Sequence, residues 1–543
     1  MKKILGASIG CCVHVAGIMN FLGIAKLAGF QTEFIGSAVD INLLKQEIDK
    51  NKPDIVGVSY RLSPESADEL FTQFERIIVN DFKNTVFILG TTKAVADYLA
   101  NKGLLIAFDR VFTGGEGRSE IESYLAGKVD IIMSGVRPPQ NLVDRIKYRK
   151  PYPLLRHHFG RPTLEETVKG IKKIANSGLI DVVSIGPDQN AQEFFFHPEK
   201  MNCLQDGAGG VPVRSEDDFK KLYEATHSGN YPLIRCYSGT NDIIKFADVL
   251  LRTINNAWCA VPLCWYNEID NRSERKLPDA IKENVDVMKW HAERGVPVEV
   301  NESHHWSLRY APDSIAVAAA YLAAYVAKKA GVRTYIAQYM FNTPPETSFI
   351  MDLAKMLAKF ELIESLHDES FATVRQTRTG LYSMPPVFNS GKGQLAASTM
   401  LQMQIDPSIV HVVAYCESSY AAKPQEIIES SEIVLKVIEN CLEGCPDMKN
   451  DRRVIKRKEE LIRDANLIIE RIRSLDISGK YGDPLAEPAL ISMAIKKGIL
   501  DAPHLAGAPG ACGRIRTVFY NGANFAVSGK GEIISEKDRL DSL

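Results

Sequence analysis

The feature that most constrains this chain is a rhythm. Short β-type apolar runs are each followed by a stretch of helical periodicity, and the pattern repeats almost to the end. Through about residue 130 the runs fall at 3–9, 32–36, 54–60, 85–90 and 110–115. Between them lie helical stretches such as "HVAGIMNFLGIAKLAGF" and "SADELFTQFERIIVNDF". A strand that leads through a helix to the next strand crosses over and pairs in parallel. The first part is therefore predicted to be a doubly wound α/β sheet of the Rossmann or flavodoxin type, with ligands at the carboxyl ends of its strands.

From Tyr152 the alternation resumes on a larger scale. Candidate strands start near Pro153, Asp181, Pro232, Ala257, Pro297, Arg333, Phe371 and His411. Helical stretches such as "NDIIKFADVLLRTIN" and "LPDAIKENVDVMKWHAERG" follow nearly every one. Such a series predicts a (β/α)8 barrel of the TIM type, again with its chemistry at the strand ends. The segment "SGVRPPQNLVDRIKYRKPYP" reads as a linker, and the glycine-rich tail "GAPGACGRIRTVFYNGANFAVSGKGE" as a small β-rich cap. The expected organisation is a domain at 1–133, a linker at 134–151, a barrel at 152–478 and a cap at 479–543.

Composition narrows the partners. The 543 residues carry a formal net charge of −2, which makes no electrostatic case for nucleic acid or an acidic membrane surface. Ten cysteines are scattered without the paired spacing of a zinc or iron–sulfur site, and free thiols suit a reducing cytosol. The start, "MKKILGASIGCC", reads as strand plus loop rather than a signal peptide. The apolar helix from Ser314 is too short and alanine-rich to span a bilayer. A cytoplasmic protein with no membrane partner is expected.

The first loop, "GCCVHVAG", holds His14 with Gly17 three residues on. Ser59 and Leu62 close the third strand in "DIVGVSYRL", and Gly114 and Gly115 follow the fifth in "FDRVFTGGEG". This order resembles the cobalamin-binding domain, whose pattern is D-x-H-x-x-G, then S-x-L, then G-G, and in particular the small subunit of glutamate mutase. The resemblance covers residues 1 to about 128. It implies that His14 is the axial ligand of cobalt, a role that suits a neutral imidazole. It also implies that Gly17, Ser59, Leu62, Gly90, Gly114 and Gly115 surround the cobalamin's nucleotide tail, which leaves the metal and enters a slot beside the sheet. Two departures stand out. Cys12 replaces the aspartate that holds the other imidazole nitrogen, and S-x-L is stretched by one residue.

The barrel and tail resemble, more thinly, the large catalytic subunit of glutamate mutase. That family grips its substrate with three arginines. Only Arg235 keeps its place, in "PLIRCYSGT"; His158 and Gln192 align with the other two. Pro262 stands near the family's catalytic glutamate, with Glu268 downstream. Tyr415 and Ser419 fall where the adenosyl ribose is held. From the strand ends themselves, Arg235 can clamp a carboxylate or form a structural ion pair, and Glu268 can act in chemistry or pair with Arg272. In "VNESHHW", Glu302 and His304, with His305, can do acid–base work, although adjacent histidines on a strand point apart. Tyr339, Arg375, Arg378 and Tyr382 are expected at the same rim.

Together these features predict a cobalamin-dependent radical mutase, an isomerase acting on a small carboxylic or amino acid. The resemblance implies adenosylcobalamin ahead of methylcobalamin, and a homodimer. A corrinoid-dependent methyltransferase and a non-catalytic cobalamin-binding protein are the alternatives.

Overall fold

The computed structural model describes residues 2–126, 137–477 and 479–543. The chain divides into two compact units, Met1–Val136 and Arg137–Leu543. The expected domain boundary at residue 133 lies outside the described residues.

The first unit is built on five parallel strands: β1 (Lys3–Ile9), β2 (Gln31–Val39), β3 (Ile55–Ser59), β4 (Val86–Gly90) and β5 (Arg110–Phe112). Their order in the sheet is β2-β1-β3-β4-β5. That is the flavodoxin-like order, in which the topological switch falls between β1 and β3 and opens a crevice at their carboxyl ends. The central strands are near-continuous apolar runs because helices cover both faces. Leu5, Ala7, Val56 and Leu89 pack on one side, and Ile4, Ile55 and Ile88 on the other. The helix Ala16–Leu27 lies close on the sheet because two strand glycines make room. A β-carbon at Gly6 would stand 2.6 Å from Leu22, and one at Gly57 would stand 2.9 Å from Ile18.

The second unit carries eight parallel strands: β6 (Leu154–Phe159), β7 (Val182–Ile185), β8 (Leu233–Cys236), β9 (Cys259–Val261), β10 (Val298–Val300), β11 (Thr334–Phe341), β12 (Ala372–Thr379) and β13 (Ile409–His411). Each begins within two residues of its expected start. The ladder runs β8-β7-β6-β13-β12-β11-β10-β9. The remaining seam is closed just ahead of β9, where the Ala257 N–H donates to the Ile234 carbonyl at 2.9 Å. The Asn256 side chain accepts the Cys236 N–H there, also at 2.9 Å. The result is a nearly closed parallel barrel.

Residues expected to form a linker do more than connect. The helix Leu142–Arg149 lays Leu142 and Ile146 against the barrel's lower interior, beside Leu154, Val182, Leu233 and Trp258. Arg145 fastens it by donating to the carbonyls of Pro139 and Tyr231 at 2.8 and 2.7 Å. The tail is less β-rich than its composition suggests. It contains one antiparallel hairpin, β14 (Thr517–Tyr520) with β15 (Ala523–Ala526), alongside the helices Pro488–Lys496 and Glu536–Asp541. The hairpin is tied to the barrel through Asp313, which accepts the Asn524 N–H and pairs with Lys355 and Arg457, both at 3.4 Å. The helix Asp313–Lys329 is packed interior, and no helix among the described residues is long and apolar enough to cross a membrane.

Candidate functional site

In the first unit, the chain turns after β1 at Gly10, whose φ of +64° suits a residue without a β-carbon. The turn buries Cys12 and leaves His14 exposed. The Cys12 sulfur accepts the Arg61 N–H at 3.3 Å and lies 3.6 Å from His14 Nδ1. Ser59, the last residue of β3, donates its hydroxyl to the His14 carbonyl at 3.3 Å. Ser8 donates to the Cys12 carbonyl at 2.7 Å. The imidazole is thus braced on its Nδ1 edge and through its own backbone, while Nε2 has no partner among the described residues.

Beside this loop a slot of about 190 Å³ opens at the carboxyl ends of β3, β4 and β5. Gly17, Ser59, Gly90 and Gly114 line it. A β-carbon on Gly17 or Gly114 would meet nothing within 4 Å, and Gly114 has a φ of +89°. The loop that carries Gly114 is held by Glu116, whose carboxylate accepts the N–H groups of Thr113 and Gly114. Burial alone would raise that carboxyl, but these donors hold it below the usual range. Gly115 does not line the slot. Leu62 also differs from expectation: it packs into the core on one face of the sheet, and Arg61 lines the slot instead. Asn20 and Thr91, not singled out by motif, line it too. Asn20 follows Gly17 by three residues and so shares its helix face, a spacing readable from sequence.

In the second unit, side-chain alternation builds the barrel interior in layers. The lowest is apolar: Leu154, Val182, Leu233, Ile336 and Ile409, with Val374 packed against them. Two residues further along each strand the layer is polar. Arg156 donates to Gln376 at 2.6 Å and to Ser184 at 2.6 Å. Glu299 sits between Arg235 at 3.2 Å and Arg156 at 3.5 Å, and accepts Trp258 Nε1–H at 2.6 Å. Arg235 is therefore ion-paired beneath the cavity. Burial, reinforced by Arg235, lowers the Arg156 guanidinium to about 9. Glu299 is held ionised by the two arginines against its own burial.

Two residues higher again, the strands open into a polar cavity of about 280 Å³. Tyr237, Asn301, His304 and Arg378 line it together with Arg272 and, reaching up from the layer below, Gln338, and Gln192, Tyr266 and His305 complete the wall. Next to it His158 accepts the Tyr237 hydroxyl at 2.8 Å and stacks on its ring. The Arg378 guanidinium has no hydrogen bond or ion pair among the described residues. Burial, with Arg378 adding to it, pushes His304 down to about 3. Burial likewise holds His305 well below its usual value, so both rings are neutral. They stand on the short helix Ser303–Leu308 rather than on a strand. Their rings consequently lie 4.5 Å apart instead of on opposite faces.

Several expected residues lie elsewhere. Glu268 does not pair with Arg272 and does not line the cavity. It accepts the Leu277 N–H at 3.0 Å and pairs with Lys276 at 2.8 Å, steadying the start of the helix Leu277–Ala292. Glu302 is fully engaged: it accepts the N–H groups of Leu263 and Cys264 at 3.0 and 3.1 Å and Trp306 Nε1–H at 2.8 Å. It shapes the loop after β9 and does not face the cavity. Arg375 turns outward to the Ile405 carbonyl, Tyr339 is buried, and Tyr382 is exposed. Tyr415 commits its hydroxyl to Glu429 at 2.7 Å, and Ser419 is exposed in the turn after β13.

No family model matches the chain, and no curated protein does. Among solved structures it is similar to a cobalamin-binding protein from Desulfitobacterium hafniense, at 18% identity and a TM-score of 0.20 over 24% of this chain. The chain spans 59% of that protein's length. It is also similar to a Rubisco-like protein from Rhodopseudomonas palustris, at 10% identity and a TM-score of 0.31 over 56% of this chain and 69% of the other. A third match is OxsB, a cobalamin-dependent S-adenosylmethionine radical enzyme, at 13% identity and a TM-score of 0.17 over 91% of this chain and 70% of the other.

Proposed function

We propose that this chain is a cobalamin-dependent isomerase of a small carboxylate. The observation that carries the reading is the His14 ring, exposed on its Nε2 edge, braced on the other by Cys12, and anchored through its carbonyl by Ser59. With Nδ1–H turned to the sulfur, the lone pair stays on Nε2, the state in which imidazole serves a metal as ligand. The adjoining slot, where a methyl group on Gly17 or Gly114 would project into open space, gives room for a nucleotide tail. The residues present fit the group.

Adenosylcobalamin, when bound, supplies a carbon-centred radical able to abstract hydrogen from an unactivated carbon. The barrel's own residues bind and orient. Arg378, unpaired in its cavity, takes a carboxylate in a two-pronged grip, and Tyr237, Asn301 and Gln338 fix the rest of the substrate by hydrogen bonds. His304 and His305 stay neutral at any physiological pH, so they serve as hydrogen-bonding groups without adding charge.

The test is purification from a cobalamin-supplied host, followed by the ultraviolet–visible spectrum and mass of the bound corrinoid. Adenosylcobalamin supports the isomerase and methylcobalamin a methyl carrier; absence of any corrinoid overturns the reading. Electron paramagnetic resonance of the cob(II)alamin form with ¹⁵N-labelled histidine checks His14. Splitting from the nucleotide base instead of the protein would exclude it.

A further inference from the structure

The barrel cavity is built for charge of one sign. Its wall carries two guanidinium groups, Arg378, which has no ion pair among the described residues, and Arg272, which reaches Asp270 at 4.0 Å. Among the described residues no aspartate or glutamate lines it. In the floor, Arg156 and Arg235 share the single carboxylate of Glu299, so the layer below the wall is also positive. The acids nearest the wall are already satisfied. Glu302 accepts three N–H groups, Asp270 pairs with Arg309 at 3.6 Å and with Arg272 at 4.0 Å, and Glu417 accepts the N–H of Ala414. A positively charged group entering here finds no counter-ion and has lost its water, which is the costly way to bury charge.

The neutral groups point the same way. Asn301 and Gln338 each have a buried amide oxygen without a partner. Such oxygens accept a hydrogen bond from a hydroxyl, but they bring no charge to offset an ammonium. We propose that the cavity selects a carboxylic acid without an ammonium group, a plain or hydroxy acid, with Arg378 on its carboxylate and Asn301 or Gln338 accepting from its hydroxyl. This rests on the reading of the cavity as the substrate site, and it separates the chain from an enzyme that acts on α-amino acids.

The matched probes are L-glutamate and (S)-2-hydroxyglutarate, which share a carbon skeleton and differ in ammonium against hydroxyl. Calorimetric titration of the full chain loaded with adenosylcobalamin is expected to show the hydroxy acid binding at least about tenfold more tightly. Arg378→Gln should lose that binding by at least about tenfold and Arg378→Lys should recover part of it, with thermal unfolding confirming that both variants fold. Equal or tighter binding of L-glutamate overturns the proposal, as does binding of neither acid to a corrinoid-loaded chain. If the acids bind in the expected order but no corrinoid loads, the selectivity stands and the isomerase reading falls.

Discussion

Cys12 Sγ lies 3.6 Å from His14 Nδ1 and at the same time accepts the Arg61 N–H. The sulfur therefore ties the histidine loop to the loop after β3. Removing it leaves the ring free to rotate. Cys12→Ala should weaken corrinoid binding about 10- to 100-fold, the usual cost of losing the partner that orients a metal-binding histidine. Spectrophotometric titration with cobalamin reads this directly. Unchanged affinity in the alanine variant would remove Cys12 from the site.

The floor of the barrel gives a stability test. Glu299 compensates Arg156 and Arg235 in a dry interior, with all three side chains almost fully buried. Glu299→Gln keeps the shape and removes the charge, leaving two buried guanidinium groups with no counter-ion among their described neighbours. The expected loss is about 3–5 kcal/mol, measured by urea unfolding. A change under about 1 kcal/mol would mean that water or another group already shares the load.

Acid should unfold the second unit early. His291 is buried on the helix Leu277–Ala292, and burial lowers it to about 4; His304 is lowered to about 3. Both folded values lie below the ordinary histidine value of about 6.5. Above that pH both states are neutral and nothing is gained or lost. As pH falls below it the unfolded chain takes up protons that the folded chain refuses. Stability then drops between pH about 6.5 and 4, by up to roughly 3 kcal/mol from His291 alone. His291→Asn should flatten the slope of unfolding free energy against pH in that window. An unchanged slope would show that the ring is protonated in the folded state.

A buried lysine makes the opposite kind of prediction. Lys359, on the helix Phe349–Glu364, has no hydrogen bond or ion pair among the described residues, and burial next to Lys355 lowers it to about 7. An unfolded lysine titrates near 10.4, so this side chain costs stability that grows as pH falls from that value to 7 and then stays constant. Lys359→Met should raise the unfolding temperature at pH 7 and have much less effect near pH 10. Destabilisation at pH 7 would reveal a partner for the amine.

How far the sequence foretold this structure depended on how local the cause was. A parallel strand buried on both faces is a continuous apolar run, so "IVGVS" and the barrel's "VVSI" and "CAV" are legible as they stand, whereas the polar "ATVRQTRT" is legible only from the strand–helix rhythm around it. The first unit's slot was also legible, because Gly17 and Gly114 work through the absence of a side chain and need no partner. The barrel's functional groups were harder to read. Glu302 stands at a strand end like a catalytic acid, yet its carboxylate is claimed by N–H groups 38 and 39 residues earlier. The strand-end position suggests one rim for Arg375 and Arg378, yet residues three apart on a strand face opposite ways. Nothing local marks Arg378 as unpaired; that follows only from what the other strands place beside it.

The layered barrel has a consequence for change over time. Because the apolar layer, the charged floor and the wall stand two residues apart along strands such as β8 and β12, a substitution at Tyr237 or Arg378 alters recognition while the greasy footing below keeps its packing. Mechanical footing and chemical repertoire occupy separate storeys. New specificities can be explored on the upper one while the lower one holds the barrel shut.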